Sequence, residues 1–269
     1  TSTPDQQANG AGERHLRQVI ATNIDTVMVV CGLDGDFNPA RIERYFVLIE
    51  GSGAKAVVVL TKADLAADAQ AMTEQLKARM PAGTEIHAIN AKTGFGVDAL
   101  LAHLGPGSST VLVGSSGAGK STLTNTLLGE ARQSTQAVRA NDSRGRHTTT
   151  YRSLIMLPSG GCLIDTPGMR EVKLTGDESF DGGQFDDIEE LAGECRFGDC
   201  SHLAEPSCAV RAALDDGRLD PERWHSYLKL RDELAAAAES LEAQLRRKSE
   251  SRVLTKALGK RLDEKYGRH

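Results

Sequence analysis

No uninterrupted apolar run in the sequence approaches the roughly 18 residues needed to span a bilayer, and no basic-then-apolar leader opens it. A membrane partner and secretion are therefore not expected, and a cytoplasmic monomer is. An initiator Met is also missing: Thr1 stands first, as an engineered or shortened start would leave it. There is no internal repeat and no long low-complexity tract. An excess of positive charge is lacking too. The net charge is −5, so bulk electrostatics do not advertise nucleic-acid binding. Cysteine is scarce, at five in 269 residues. Without a secretion signal, a cysteine cluster points to metal before disulfides.

What is present is alternation. Residues 1–15 are mostly polar and read as a disordered lead-in. Short apolar runs then read as buried strands at Thr26–Leu33, which is rich in Val, and Lys55–Leu60, with further strands at Glu85–Asn90, Thr110–Val113, Tyr151–Leu157 and Gly161–Ile164. Helical spacing falls between them, at Pro39–Glu50, Ala66–Met80, Val97–Leu104 and from Lys120. The pattern predicts an α/β fold with a mainly parallel sheet and helices on both faces. Such sheets bind ligands beyond the carboxyl ends of their strands. After about residue 190 the strands stop. Tyr227, Leu230, Leu234, Ala237, Leu241 and Leu245 then form one apolar helix stripe, read as packing. The expected organisation is a domain over 16–180 and a small helical, zinc-binding one over 181–269.

Gly114-Ser115-Ser116-Gly117-Ala118-Gly119-Lys120-Ser121, followed by Thr122, matches G-x-x-x-x-G-K-[ST] between a strand and a helix. Glycines let backbone N–H groups curl around phosphate, and the helix N-terminus adds favourable partial charge. Lys120 is placed to reach the β- and γ-phosphates, and Ser121 to bind Mg²⁺. Asp165-Thr-Pro-Gly168 follows the strand at 161–164. Its carboxylate suits the Mg²⁺ shell and Gly168 suits a backbone contact to the γ-phosphate.

Thr61-Lys62-Ala63-Asp64 resembles the guanine motif N-K-x-D, with Thr61 where Asn is usual. Asp64 would accept from guanine N1–H and the exocyclic amine. Adenine lacks that donor pair and would leave the carboxylate unpaired. Asn90-Ala91-Lys92 resembles the S-A-K motif that touches guanine O6. An ordinary GTPase runs phosphate loop first and base motifs last. Here the base motifs precede the phosphate loop: the order is rotated.

This order, with Arg146–Thr150 (RHTTT), the stretch Phe37–Tyr45 (FNPARIERY) and C-x₄-C-x-H-x₅-C, resembles the RsgA/YjeQ family of circularly permuted GTPases from about residue 16 onward. The resemblance implies a GTP hydrolase that acts late in small-ribosomal-subunit maturation, contacts its rRNA and is stimulated by that subunit. Family members usually begin with an OB-fold, which the polar start cannot supply.

Ras-type enzymes place a water-orienting Gln after DxxG; Met169 stands there. His147, just before Thr148-Thr149-Thr150, is the candidate in its place, with RNA contact or loop shaping as the alternative. One of the threonines, Thr149 in the first instance, is expected on Mg²⁺. Cys195, Cys200, His202 and Cys208 can close around one Zn²⁺, and four protein ligands make such a site structural. Nine Lys and Arg between Arg246 and Arg268 suit phosphate contacts or a solvated helix face. Two other readings stand beside the GTPase: a zinc-stabilised RNA-binding module with nucleotide as a structural ligand, and a P-loop ATPase or kinase.

Overall fold

A computed structural model of the chain describes residues 23–129, 153–165 and 183–266, together with Leu174, Glu178 and Phe180. The elements run β1 (Thr26–Gly32), α1 (Pro39–Glu50), β2 (Lys55–Thr61), α2 (Ala69–Lys77), β3 (Glu85–Ala88), a 3₁₀ helix (Val97–His103), β4 (Ser109–Val113), α3 (Lys120–Leu128), β5 (Ser153–Met156), β6 (Cys162–Asp165), α4 (Asp186–Gly193), α5 (Ala209–Asp215) and α6 (Pro221–Tyr266).

The strands form one sheet in the order β3-β2-β1-β4-β6-β5. All pairings are parallel except β5 with β6, an antiparallel edge. Val57, Val58, Val59 and Leu60 are all fully buried, because both faces are covered. On one face Met28, Val30, Val59 and Leu112 pack with Leu100, Leu104 and Leu123. On the other, Val29, Val58, Leu60 and Val111 pack with Ile42, Phe46 and Leu76 of α1 and α2. The mainly parallel sheet expected from the alternation is the one observed. β1 lies between β2 and β4 at the point where chain order reverses, the place such sheets reserve for ligands.

Local chemistry sets the helix bounds. Asn38 caps α1, its Oδ1 accepting from Arg41 N at 3.0 Å, and Pro39 takes the first turn. Asp68 caps α2 by accepting from Ala71 N at 2.9 Å, so the helix begins at Ala69 rather than Ala66. The acidic stretch before the cysteines forms α4 from Asp186. Asp186, Asp187 and Glu189 lie in its first turn, where negative charge favours a helix N-terminus.

Residue contacts group the sheet with its helices, α4, α5 and the start of α6 up to Arg231 into one compact unit; α6 from Asp232 onward belongs to a second. The nucleotide loops and the cysteine cluster both lie in the first unit. A buried ion network ties its parts. Glu43 of α1, 1% exposed, receives Arg79 Nε at 2.9 Å and Arg223 Nη1 at 2.8 Å. Arg223, on α6, also reaches Asp187 of α4 at 2.6 Å and the Gln184 carbonyl at 2.7 Å. Burial pushes the Glu43 carboxyl up, while Arg79 and Arg223 pull it down. No helix among the described residues is long and apolar enough to cross a membrane.

Candidate nucleotide site and cysteine cluster

The phosphate-type loop joins β4 to α3, and its shape depends on glycine. Gly114 has φ +143°, and a Cβ there would lie 2.1 Å from the Val30 carbonyl oxygen. Gly119 has φ +97°, and its Cβ would stand 3.0 Å from Thr61 Oγ1. Neither position admits a side chain. Lys120 folds back across the loop, its Nζ donating to the Gly114 and Ser115 carbonyls at 2.7 Å each. Ser121 and Thr122 occupy the first turn of α3, half-buried.

The base-motif loops leave the ends of β2 and β3. Thr61 is buried, and its hydroxyl donates to the Ala118 carbonyl at 2.5 Å. The residue standing for Asn thus binds the phosphate loop directly. Lys62 holds a left-handed backbone, φ +58°, and its ammonium meets Asp34 at 2.5 Å. Ala63 N donates to the Ile89 carbonyl at 3.1 Å, which joins the two base loops. Asn90 Oδ1 accepts from Lys92 N at 2.9 Å and Thr93 N at 3.2 Å, folding its loop into an Asx turn. Thr126 of α3 donates to the Ala91 carbonyl, so α3 braces that turn. Asp64 and Lys92 are exposed. Ala63, Asp64, Asn90, Thr93 and Phe95 line a groove of 690 Å³ with residues of α2. No phosphate-loop residue lines it.

Two residues of this site, Asp34 and Asp36, were not singled out from the sequence. Asp34 accepts from Lys62 and from Asp36 N. Burial raises its carboxyl, but the Lys62 bond and the Asp36 N–H outweigh this and hold it below the usual range. Asp36 joins Arg41 at 2.7 Å and accepts from Ser115 Oγ of the phosphate loop at 2.5 Å. The signal was available: two carboxylates just beyond the carboxyl end of a central strand. Of the remaining predicted residues, Asp165 ends β6, paired in register with Leu112 and Ser153, and its side chain lies outside the described residues. His147, Thr149 and Gly168 also lie outside them.

Cys195, Cys200, His202 and Cys208 converge, with ligand atoms all within 4.8 Å of one another. Cys195 Sγ lies 3.5 Å from His202 Nδ1 and 3.9 Å from Cys208 Sγ; Cys208 Sγ is also 3.5 Å from His202 Nδ1. A tetrahedral zinc ion would set about 3.6 Å between S and N and about 3.8 Å between S and S. The donor set therefore fits. Burial raises the Cys195 thiol, but the Val210 and Ala209 N–H groups at the start of α5 outweigh it and lower the thiol overall. Cys200 is pushed up to about 11 by burial and by the neighbouring thiols. Three sulfurs at this spacing repel one another as thiolates, and a cation removes the conflict. His202 stands edge-on to Trp224, which stacks on Tyr227, and Tyr227 packs on Phe180 and Phe185.

These features define a P-loop nucleotide-binding protein with the base loops ahead of the phosphate loop in the chain. Residues 6–175 match the model of the RsgA GTPase family, and the chain belongs to that family. It is 63% identical over 234 residues to the small ribosomal subunit biogenesis GTPase RsgA of Xanthomonas euvesicatoria pv. vesicatoria (strain 85-10), covering 86% of this chain and 64% of that protein. The corresponding protein of Xanthomonas oryzae pv. oryzae (strain MAFF 311018) is 61% identical over the same shares. The chain thus spans less than two thirds of these relatives' length. Among solved structures, YjeQ from Thermotoga maritima aligns with TM-score 0.54 and 28% identity, over 79% of this chain and 72% of that one. YloQ, described as a circularly permuted GTPase, aligns with TM-score 0.52 and 25% identity, over 80% and 69%.

Proposed function

We propose that the chain hydrolyses GTP to GDP and acts in late maturation of the small ribosomal subunit, in the cytoplasm, in contact with its rRNA and stimulated by it. The observation that carries the reading is the Thr61–Ala118 bond, which couples the base motif to the phosphate loop within one site. Guanine would sit against Asp64, with Lys62 along the ring and the Asn90–Lys92 turn at O6. Lys120, now on the loop's own carbonyls, would exchange them for phosphate oxygens. Mg²⁺ neutralises charge on the β- and γ-oxygens when bound. Ser121 and Thr149 are its proposed donors, with Asp165 in the outer shell. Gly168 would contact the γ-phosphate, and His147 would orient the attacking water.

One structural Zn²⁺ would sit on Cys195, Cys200, His202 and Cys208 and stabilise the helical domain, 181–269, which follows the GTPase domain, 16–180, in the chain. The nine basic residues from Arg246 to Arg268 support an rRNA contact. The base assignment is tested by comparing GDP, ADP and xanthosine diphosphate binding. Wild type should prefer GDP. Asp64→Asn should lose about a hundredfold for GDP and gain affinity for the xanthine nucleotide, which carries an acceptor where guanine has its amine. Equal GDP and ADP binding in wild type would remove the guanine reading.

A further inference from the structure

Among the described residues, a second group of ligand-type side chains converges away from both the nucleotide loops and the cysteines. Glu85 and His87 lie two apart on edge strand β3 and so share one face. His103 ends the 3₁₀ helix, with its carbonyl held by Thr110 Oγ1 at 2.8 Å. Glu85 Oε2 lies 2.9 Å from His103 Nε2 and 3.6 Å from His87 Nε2. The first distance is a hydrogen bond; the second is too long for one. His87 Nε2 is shielded from solvent and has no hydrogen-bond partner. A buried imidazole nitrogen without a partner is costly and calls for an explanation.

We propose that Glu85, His87 and His103 bind a divalent transition-metal ion of the zinc class. Two ligands of one such ion, at bonds of about 2.0–2.2 Å, stand roughly 2.9–3.5 Å apart, which matches both measured spacings within the tolerance of a metal site. The ion gives the orphaned His87 Nε2 its partner. Lys55 Nζ holds Glu85 Oε1 at 2.5 Å, leaving Oε2 toward the histidines, an outer contact that fixes a carboxylate ligand. Two imidazoles and one carboxylate leave a coordination position for water, unlike the closed cysteine set. The ion joins edge strand β3 to the 3₁₀ helix, the two elements that flank the Asn90–Phe95 turn.

The test is cobalt titration of untagged, nucleotide-free protein whose cysteine cluster is already zinc-loaded, followed by calorimetry and visible absorption. Wild type should take up one further equivalent, without a thiolate charge-transfer band, and its melting temperature should rise. Affinity should fall at least tenfold in Glu85→Gln and further in His87→Ala/His103→Ala. His103→Gln, which keeps a polar group beside Glu85 but no imidazole, should lose the ion while retaining the wild-type far-ultraviolet spectrum. Undiminished uptake in the double variant, or no further uptake by wild type up to millimolar cobalt, would overturn the proposal.

Discussion

The nucleotide loops and the cysteine cluster lie in one compact unit and are built on opposite principles. The loops are shaped by backbone. Gly114 and Gly119 accept conformations and close contacts that other residues cannot, and Thr61 locks one loop to the next. No ion is needed for that shape. The cluster is shaped by side chains: three thiols and an imidazole at the spacing of a tetrahedral ion, buttressed by an aromatic stack. The lesson is that the first region should survive loss of metal and fail on loss of a glycine, and the second should do the reverse.

Chelation should have the largest effect. Structural zinc in small domains contributes on the order of 10 kcal/mol, so the fold around the cluster should loosen. Trp224, the single tryptophan, stands against His202 and reports this region alone. Its emission should shift on zinc removal while GDP affinity stays within about twofold, one RT ln 2 of change. Gly114→Ala should cost about 4 kcal/mol in denaturant unfolding and abolish nucleotide binding, with the zinc content intact. Arg223→Ala strikes the junction between the regions. It leaves Glu43 buried with Arg79 alone and should cost about 3 kcal/mol in the same unfolding experiment. Thr61→Val should be the mildest. It keeps the volume but leaves the Ala118 carbonyl unpaired, costing about 1–2 kcal/mol and weakening GDP binding measurably.

How much of this could be read in the sequence follows the same division. The phosphate loop was legible because its backbone demands glycine at fixed offsets, and Cys195, Cys200, His202 and Cys208 were legible because they lie close together in the chain. The strands followed from apolar runs buried on both faces, and α1 was expected at its observed bounds, Pro39–Glu50. Helix α4 was not expected because its acidic first turn carries no apolar periodicity and is favoured only through the helix dipole. The parts assembled by tertiary contact left no local trace. Glu43 and Arg223 are 180 residues apart, and Glu85 and His103 are 18 apart on different elements. Asp34 and Asp36 sat in plain view at a strand end, but their partners Lys62 and Ser115 come from two other loops.

The most direct measurement is nucleotide turnover by the purified chain, with and without small ribosomal subunits, using ATP and Lys120→Ala as controls. GTP and not ATP should be hydrolysed, faster with the subunits present and not at all by the variant. GTP binding without turnover under either condition, or equal hydrolysis of ATP, would contradict it.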